Sequence, residues 1–399
     1  MNDFVRKIFN KEQRKTIMEV ILTPFAWLYG AGVWLRNTAF KLGILRQESF
    51  EVPVVSVGNI TVGGTGKTPH VEYLIELLKD KAKVAVLSRG YKRRTRGFVI
   101  ADENATAKTI GDEPLQMKRK YGDDITVAVD RKRCHGIRQL TSDEDGIDVI
   151  LLDDAFQHRY VKPGVNILLV DYHRLIIYDK LLPAGRLREP LSGKNRADMV
   201  IVTKCPHDLK PMEFRVITKA MNLYPFQRLF FTCLEYRNIT PVFGSGEQSL
   251  DSIGKDCHIL LLTGIASPQQ MIEDLSPRCP HITPLTFGDH HTFTSSDVAR
   301  INNEFAALPH PKMIITTEKD ATRLIAVEGL SDEVRGAMFA LPVKIRFMLG
   351  QEESFNEKII GYVRKNSRNS ILAKAKDDYK SRNGNNLRDR PRTISFRNN

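Results

Sequence analysis

The chain has 399 residues, 42% of them hydrophobic and 27% charged, which is an ordinary globular composition with room for two or three domains. Its net charge of +13 indicates an anionic partner: nucleic acid, a phosphorylated substrate or an acidic membrane surface. The five cysteines are scattered and include no CxxC pair, which argues against a zinc site or a disulfide framework and is typical of a reducing compartment.

The first predicted element is an N-terminal helix whose segment 20–35, VILTPFAWLYGAGVWL, carries no charge. A helix that spans a bilayer needs about 20 apolar residues, and Pro24 interrupts this shorter run. Its apolar residues lie nearly all round the helix, and Trp27 and Trp34 with basic flanks suit the headgroup level of a membrane. We therefore expect residues 1–50 to form a membrane-associated helical segment. An ordinary buried helix and a true span are the alternatives.

Short apolar, β-branched runs then alternate with helical patterns, which predicts a parallel sheet covered on both faces. The runs of the first set lie at 52–57, 83–87, 148–152, 166–170 and 199–203, and those of a second set at 258–264, 312–318 and 338–345. The fold class expected is α/β: a P-loop NTPase-like domain with a mostly parallel sheet at 51–230 and a second, smaller α/β domain at 231–365.

A glycine-rich loop joins the first predicted strand to a helix in VGNITVGGTGKTPHVEYLIELL, residues 57–78. In such a loop the backbone N–H groups and the helix dipole attract phosphates, Lys67 reaches the β- and γ-phosphates, and the Thr68 hydroxyl binds Mg²⁺. The strict pattern has glycine where this chain has Thr61, but the later glycines still permit close approach. The sequence therefore predicts a nucleotide site formed by Thr61, Val62, Gly63, Gly64, Thr65, Gly66, Lys67 and Thr68.

Two carboxylates end the apolar run at 148–152, in DVILLDDAFQH at 148–158. A P-loop site needs a carboxylate to complete its metal shell, and the end of a buried strand is the Walker B position. We expect Asp153 and Asp154 to hold Mg²⁺ together with Thr68. A solvated turn is the alternative for the two aspartates.

A basic tail occupies residues 366–399, with nine Lys or Arg against three Asp and few apolar residues. This composition predicts a disordered or loosely attached segment. It is either a solvated tail without a specific role or an additional attraction to anionic lipid.

The GGTGKT string also occurs in partition-type ATPases, which act on DNA or membranes. Those proteins carry a lysine directly before the glycine pair, where this chain has Val62. That difference disfavours a partition-type regulatory ATPase, which remains the alternative function.

Further motifs occur in a fixed order along the chain: PFAWLYG, VGNITVGGTGKTP, SRGY (88–91), GDEP (111–114), LDDAFQH (152–158), LPAGRLREP (182–190), GDHH (288–291) and TTEKDA (316–321). Together they resemble the tetraacyldisaccharide 4'-kinase family, the lipid A kinases of Gram-negative bacteria, from the N-terminal helix to about residue 350. The basic tail departs from the family pattern.

This resemblance implies transfer of the ATP γ-phosphate to the 4'-hydroxyl of a tetraacyl-disaccharide 1-phosphate, which gives lipid IVA, in a cleft between two α/β domains. The cofactors expected are ATP and Mg²⁺. The partners expected are the lipid A precursor and an anionic membrane surface, with no nucleic acid. We expect a monomer that is peripheral or monotopic at the cytoplasmic face of the bacterial inner membrane.

The resemblance also implies a base for the acceptor hydroxyl. Asp112 would accept the hydroxyl proton, and His290 would pair with it from the second domain, since the family pattern is an Asp-His pair. His291 is adjacent, so the residues alone do not choose between the two histidines. The alternatives are a helix cap for Asp112 and a surface loop position for His290.

Further residues are expected around the phosphates. Arg188 would stabilise charge on the transferring phosphoryl group, and Glu189 would orient Arg188 or help to hold the metal, unless the two form a salt-bridged loop pair. The remaining candidates are expected to contact substrate or to line the site: Tyr91, Arg133, Gln157 and His158. For Glu318, Lys319 and Asp320, interdomain salt bridges are as plausible as catalysis.

Overall fold

The computed structural model describes residues 3–142, 146–265, 268–288 and 291–367. Its helices are α1 (Asp3–Lys41), α2 (Lys67–Leu78), α3 (Ala107–Ile110), α4 (Asp112–Tyr121), α5 (Arg133–Leu140), α6 (Pro211–Met221), α7 (Gln269–Leu275), α8 (Ser295–Ala306), α9 (Glu318–Leu324), α10 (Asp332–Gly336) and α11 (Glu352–Asn366). His290 and the predicted tail from residue 368 onward lie outside the described residues.

The described strands form two sheets. They are β1 (Val54–Gly58), β2 (Val84–Ser88), β3 (Val99–Ile100), β4 (Ile125–Val129), β5 (Val149–Asp153), β6 (Val165–Asp171), β7 (Met199–Thr203), β8 (Arg228–Tyr236), β9 (Thr240–Pro241), β10 (His258–Thr263), β11 (Ile282–Thr286), β12 (Lys312–Thr317), β13 (Met338–Leu341) and β14 (Val343–Phe347). The first sheet has the order β14-β8-β7-β6-β1-β5-β2-β4-β3, and the second β11-β10-β12-β13-β9.

Both sheets are mostly parallel, as the continuous apolar runs predict. Among the described strands, the antiparallel pairs are the edge pairs β14–β8 and β3–β4 in the first sheet and β13–β9 in the second. Strands β1, β2, β5 and β7 are buried along their whole length, because helices cover both faces. The predicted α/β class with a mostly parallel sheet is confirmed.

Helix α2 shows how the local sequence produces this packing. Its apolar residues Val71, Leu74, Ile75 and Leu78 repeat at helical spacing and are buried against the first sheet. Burial of each such side chain stabilises the fold by roughly 1.5–3 kcal/mol. The helix is therefore fixed to the sheet, and its N-terminus is held at the carboxyl end of β1.

The end of the described chain returns to the first sheet. Strand β14 pairs with β8, and Phe355, Ile359 and Val363 of α11 lie in the same core cluster as α2. Strand β8 itself runs through the boundary expected at 230, from Arg228 to Tyr236. Part of the range 231–365 thus belongs to the first sheet, and the second sheet consists of the five strands from β9 to β13.

Each sheet with the helices packed on it is called a sheet unit below. Helix α1 contacts the first sheet unit through its C-terminal half. Phe40 is buried between the Tyr160 ring, at 5.1 Å, and the Arg159 guanidinium, at 4.7 Å. Trp27 and Trp34, in contrast, are 74% and 63% exposed. Within the described part of the chain, no helix has the length and hydropathy needed to cross a membrane.

Candidate active site

The loop between β1 and α2 has the geometry of a phosphate cradle. Gly63 and Gly66 have φ of 120° and 78°, a region that glycine adopts without strain. Gly66 directly precedes α2 and offers no side-chain cap, so the first N–H groups of the helix are left to a ligand. Asn59 donates to the Thr65 hydroxyl at 2.9 Å, and Thr203 donates to the Thr65 carbonyl at 3.0 Å. These bonds fix the loop from inside.

Thr61 occupies the position that has glycine in the strict loop pattern, and its surroundings explain why glycine is unnecessary. Thr61 is buried and forms a β-bridge with Leu187. The next N–H, of Val62, donates to the Arg186 carbonyl at 2.9 Å, and Arg188 N–H donates to the Ile60 carbonyl at 2.7 Å. This part of the loop is extended, a conformation that threonine adopts readily.

His70 ties the other end of the loop to the sheet. Its Nδ1 lies 2.7 Å from the Gly66 carbonyl, and its Nε2 lies 3.1 Å from the Thr232 hydroxyl on β8. Burial lowers the pKa of His70 to about 4, so the ring is neutral, with Nδ1 donating to the carbonyl and Nε2 accepting from the hydroxyl. These two contacts fix the N-terminal end of α2 and the loop relative to β8.

Three charged side chains meet at the carboxyl ends of β1 and β5. Lys67 Nζ lies 3.6 Å from Asp154 Oδ1, and Arg188 Nη1 lies 3.8 Å from Asp154 Oδ2. Asp153, one residue before, is fully buried. The structure thus brings together the loop lysine, the paired aspartates and the arginine that the sequence singles out.

The paired aspartates have buried oxygens that accept no hydrogen bond. Asp153 Oδ1 and Asp154 Oδ1 are buried without a hydrogen-bond donor, although Asp154 Oδ1 has the ion-pair contact with Lys67 at 3.6 Å, whereas Asp153 Oδ2 accepts from Ser88 at 3.3 Å. Burial, and then the nearby Glu113 and Asp154 carboxylates, raise the pKa of Asp153 to about 7, against the opposing effect of Lys67. A cation at this point would satisfy the orphaned oxygens and favour the ionised carboxylates.

This donor set suits magnesium. The described residues contain no cluster of three or more His, Cys, Asp or Glu side chains able to hold a metal. Mg²⁺ usually binds through one or two carboxylates and keeps the rest of its octahedron for waters and phosphates, so a larger cluster is unnecessary. Thr68, in the first turn of α2, and the Asp153–Asp154 pair fit that requirement.

Gln157 connects the loop, Arg188 and α1. Its Nε2 donates to the Asn59 carbonyl at 2.7 Å, and its Oε1 lies 3.4 Å from Arg188 Nη1. From α1, Arg36 donates to the Gln157 carbonyl at 3.2 Å and Tyr29 donates to the Arg188 carbonyl at 2.8 Å. The C-terminal half of α1 is therefore part of the wall of this site.

His158 follows Gln157 and is partly buried. Burial, and then the Arg133 cation, lower the pKa of His158 to about 4. The ring is therefore neutral near pH 7, and it can donate or accept a hydrogen bond without adding charge.

Two of the predicted site residues point into the protein. Arg133 is only 2% exposed and donates to the carbonyls of Asp130, at 3.0 Å, and Asp153, at 3.3 Å. Its burial lowers its pKa to about 10. Glu189 is also buried, and its Oε2 accepts from Arg196 at 2.8 Å. Arg133 therefore fixes the backbone of Asp153 from the interior of the protein. Glu189 fixes the segment after Arg188 through its bond with Arg196.

The loop with Tyr91 lies against the start of α4. Gly90 and Gly111 have φ of 65° and 96°, and a Cβ on Gly111 would lie 3.0 Å from the Tyr91 carbonyl oxygen. The two glycines thus allow the chain segments to touch, and they bring the exposed Tyr91 close to Asp112.

Asp112 begins α4 and is paired with a residue of the second sheet unit. Arg323 Nη2 and Nε lie 2.6 and 3.0 Å from Asp112 Oδ2. His291, the other candidate histidine, lies 2.9 Å from Asp297 Oδ2 and belongs to the cap of α8. The predicted pairing of Asp112 with His290 stays a prediction, since His290 is outside the described residues.

Helices α4 and α9 form a polar contact between the two sheets, which we call the α4–α9 seam. It consists of Asp112, Glu113, Arg119 and Lys120 on α4 and Glu318, Lys319, Thr322 and Arg323 on α9. Its remaining ion pairs are Lys120–Glu318 at 2.9 Å and Lys319–Glu113 at 3.5 Å. Two residues of the EKDA motif therefore form salt bridges between the two sheet units.

Sequence reasoning missed two residues near this site. Glu113 is close enough to raise the pKa of Asp153, and Arg323 binds Asp112. Glu113 was visible as the second carboxylate of GDEP. Arg323 lies one helical turn after Asp320 of EKDA, and only its spacing on that helix face would have singled it out.

Comparisons with known proteins relate this chain to one protein family. The family model described as tetraacyldisaccharide-1-P 4'-kinase matches residues 18–364. A tetraacyldisaccharide 4'-kinase of Phocaeicola vulgatus is 58% identical over 353 residues, which cover 88% of this chain and 96% of that protein. One of Bacteroides thetaiotaomicron is 53% identical over 370 residues, 90% of this chain and 97% of that protein.

A solved structure is similar over most of the chain. The crystal structure of "apo" form LpxK from Aquifex aeolicus in complex with ATP has 30% sequence identity to this chain and a TM-score of 0.67. The match covers 86% of this chain and 99% of that one.

Proposed function

The chain belongs to the tetraacyldisaccharide-1-P 4'-kinase family, and we propose that it transfers the γ-phosphate of ATP to the 4'-hydroxyl of a tetraacyl-disaccharide 1-phosphate, which forms lipid IVA in lipid A biosynthesis. The observation that carries this proposal is the meeting of Lys67 and Arg188 at Asp154, beside an uncapped helix N-terminus. Family membership replaces the alternative of a partition-type regulatory ATPase.

Phosphoryl transfer requires positioning and charge neutralisation more than covalent chemistry. The N–H groups of residues 63–68 and Lys67 bind the phosphates of ATP, and Arg188 stabilises the charge that builds up on the transferred group. Gln157 holds Arg188 through a contact at 3.4 Å. Asn59 and His70 keep the loop in the shape that these contacts need.

Thr68 and the Asp153–Asp154 pair would hold Mg²⁺, which supplies charge neutralisation on the β- and γ-phosphates. The buried Oδ1 atoms of both aspartates support this assignment. Arg133 contributes by binding the Asp153 carbonyl, which fixes the carboxyl end of β5.

Asp112 accepts the proton of the 4'-hydroxyl in this proposal. It lies at the start of α4, next to the Tyr91 loop, and its neighbour Glu113 acts electrostatically on Asp153. The acceptor sugar would therefore lie between the Asp153–Asp154 pair and Asp112, with Tyr91 and His158 available to contact it. The partnership with His290 remains a prediction of the family resemblance.

Helix α1 places this site at a membrane surface in our proposal. Trp27, Leu28 and Trp34 are exposed on α1, while Tyr29 and Arg36 of the same helix contact the site. An amphiphilic acceptor in the cytoplasmic leaflet of the inner membrane would thus reach the site without leaving the lipid. The net charge of +13 adds attraction to anionic lipid.

The test of the activity is phosphate transfer in detergent. Full-length protein with Mg-ATP and the tetraacyl-disaccharide 1-phosphate is expected to give a product with one phosphate added at the 4'-position, detected by mass spectrometry. Lys67→Ala should give no product. Lys79→Ala is the matched control, since Lys79 directly follows the last residue of the same helix and pairs with Asp124 away from the site. Absence of product from wild-type protein would contradict the proposal.

The test of membrane contact uses point variants, because removal of α1 would also remove Tyr29 and Arg36 from the site. Trp27→Glu with Trp34→Glu is expected to weaken binding to anionic vesicles by about tenfold or more, since each exposed ring contributes apolar area. Met212→Glu, at an exposed apolar residue of α6, is the control. Equal binding by the double variant and wild type would sink the membrane assignment of α1.

A further inference from the structure

Arg323 makes a contact that the proposed chemistry does not yet use. Its Nε and Nη2 lie 3.0 and 2.6 Å from Asp112 Oδ2, and its Nη1 lies 3.0 Å from Asp320 Oδ1. We propose that Arg323 is a positioning residue of the phosphoryl transfer, which holds the Asp112 carboxylate in place from the second sheet unit. This inference rests on the proposed role of Asp112 as the base.

The anchor of Arg323 is rigid. Asp320 is fully buried, and its Oδ2 accepts from the Gly264 N–H at 2.8 Å and from the Thr317 hydroxyl at 2.7 Å. Gly264 follows β10 and Thr317 ends β12, so two central strands of the second sheet fix this carboxylate. The guanidinium that Asp320 binds is fixed in turn, and through it the position of Asp112 is tied to the second sheet.

The chemistry of arginine fits this bridging role. A guanidinium is planar and offers five N–H donors in a fixed fork, so it can bind two carboxylates in set directions at once. Lysine has a single ammonium on a flexible stem and would hold either Asp112 or Asp320 less precisely. Arg323 is also nearly buried, at 8% side-chain exposure, which strengthens its charge interactions relative to an exposed pair.

The electrostatic consequence concerns the ionisation of Asp112. Among the described residues, the charged groups of the elements packed around it include Glu113 on its own helix and Lys319, Asp320 and Arg323 on α9, while the packed loop carries Arg89 and Tyr91. A cation in contact with a carboxylate favours its ionised form, the form that accepts a proton. Loss of Arg323 should therefore shift the acidic limb of the kcat profile to higher pH.

A residue that only holds the two helices together would not change the pH dependence of kcat. The α4–α9 seam offers such a residue as a matched control. Arg119 Nη1 donates to the Thr322 carbonyl at 2.9 Å across the same seam. Arg119 lies seven residues after Asp112 on α4, about 10 Å along the helix. Arg119→Gln thus removes a contact between the same two helices without touching Asp112.

The experiment measures kcat and KM for ATP against pH with the full-length enzyme. Arg323→Gln is expected to move the acidic limb of kcat up by about one pH unit and to lower kcat by about tenfold, with KM for ATP changed less than about twofold. Arg323→Lys should be intermediate. Arg119→Gln should keep the wild-type limb. The double variant Asp320→Asn, Arg323→Gln leaves no buried carboxylate unpaired and should show the same shift, so the test holds even where Arg323→Gln folds poorly.

An unchanged acidic limb in the Arg323 variants, or an equal shift in Arg119→Gln, would overturn the inference. Asp112→Asn separates this failure from a failure of the proposed function. If Asp112→Asn loses kcat while Arg323→Gln matches wild type, only the role of Arg323 is wrong. If Asp112→Asn keeps the wild-type kcat, Asp112 is not the base and the inference falls with it.

Discussion

The phosphate loop and the α4–α9 seam are held together in different ways. The loop is fixed by contacts within one sheet unit, some from neighbours in the sequence, such as Asn59 on Thr65, and some from distant strands, such as Thr203 on Thr65. The seam instead joins the two sheet units: Asp112 and Arg323, which are separated by 211 positions, lie on opposite sides of it. The nucleotide end of the site therefore forms within one sheet, whereas the base is placed by the packing of two sheet units against each other.

The largest effect is expected at the loop. Lys67→Ala removes the cation beside Asp154 and the phosphates, so transfer should fall by about 10³-fold or more. The measurement is the single-turnover rate at saturating ATP, with Lys79→Ala as the control. A fall of less than about tenfold would mean that the loop does not carry the charge neutralisation proposed for it.

At the loop, His70 should make the folded protein less stable as the pH falls. Because burial lowers the pKa of His70 to about 4, the unfolded chain takes up its proton first, and stability is lost as pH falls from 6.5 towards 4. Between pH 7 and pH 5 this costs about 2 kcal/mol. His70→Asn should lose correspondingly less stability over that interval in chemical unfolding. An equal loss in both proteins would contradict the buried neutral ring.

The opposite dependence is expected at Glu72, which lies on α2 and binds Lys120 of the seam at 2.6 Å. Burial raises the pKa of Glu72 to about 7, so the folded chain binds its proton first, and stability is gained as pH falls through 7 towards 4.5. Glu72→Gln should therefore exceed wild type in stability more at pH 8 than at pH 5.5, by up to about 2 kcal/mol. A constant difference across that range would show that Glu72 is ionised throughout.

The smallest effect is expected at Thr61. Its extended backbone and its bridge to Leu187 need no glycine, so Thr61→Gly should leave kcat within about twofold and cost roughly 0.5–1 kcal/mol of stability. Chemical unfolding and the transfer assay measure both quantities. A gain in activity would indicate that threonine constrains the loop, contrary to the geometry described above.

The same contrast explains what the sequence could predict. Lys67, Asp153 and the parallel strands were predictable, because a strand, a glycine loop and a helix start leave a local pattern. The pairing of Asp112 with Arg323 was not predictable, because no local pattern links helix residues that belong to two different sheet units.

Burial was equally hard to predict from the sequence. The return of β14 and α11 to the first sheet and the inward direction of Arg133 depend on packing of the whole chain. Arg131, Lys132 and Arg133 form one basic run in the sequence, and only the third is fully buried. A charge pattern alone therefore does not show which member of a run faces the site.

The most direct test of separate roles for the phosphate loop and Asp112 is to measure ATP affinity and single-turnover transfer together in Asp112→Asn. We predict that the variant binds Mg-ATP with a dissociation constant within about twofold of wild type, while transfer falls by about 10²- to 10⁴-fold, the usual contribution of a general base. Unchanged transfer, or a loss of ATP affinity that accounts for the whole fall, would contradict a base on α4 that acts separately from the phosphate loop.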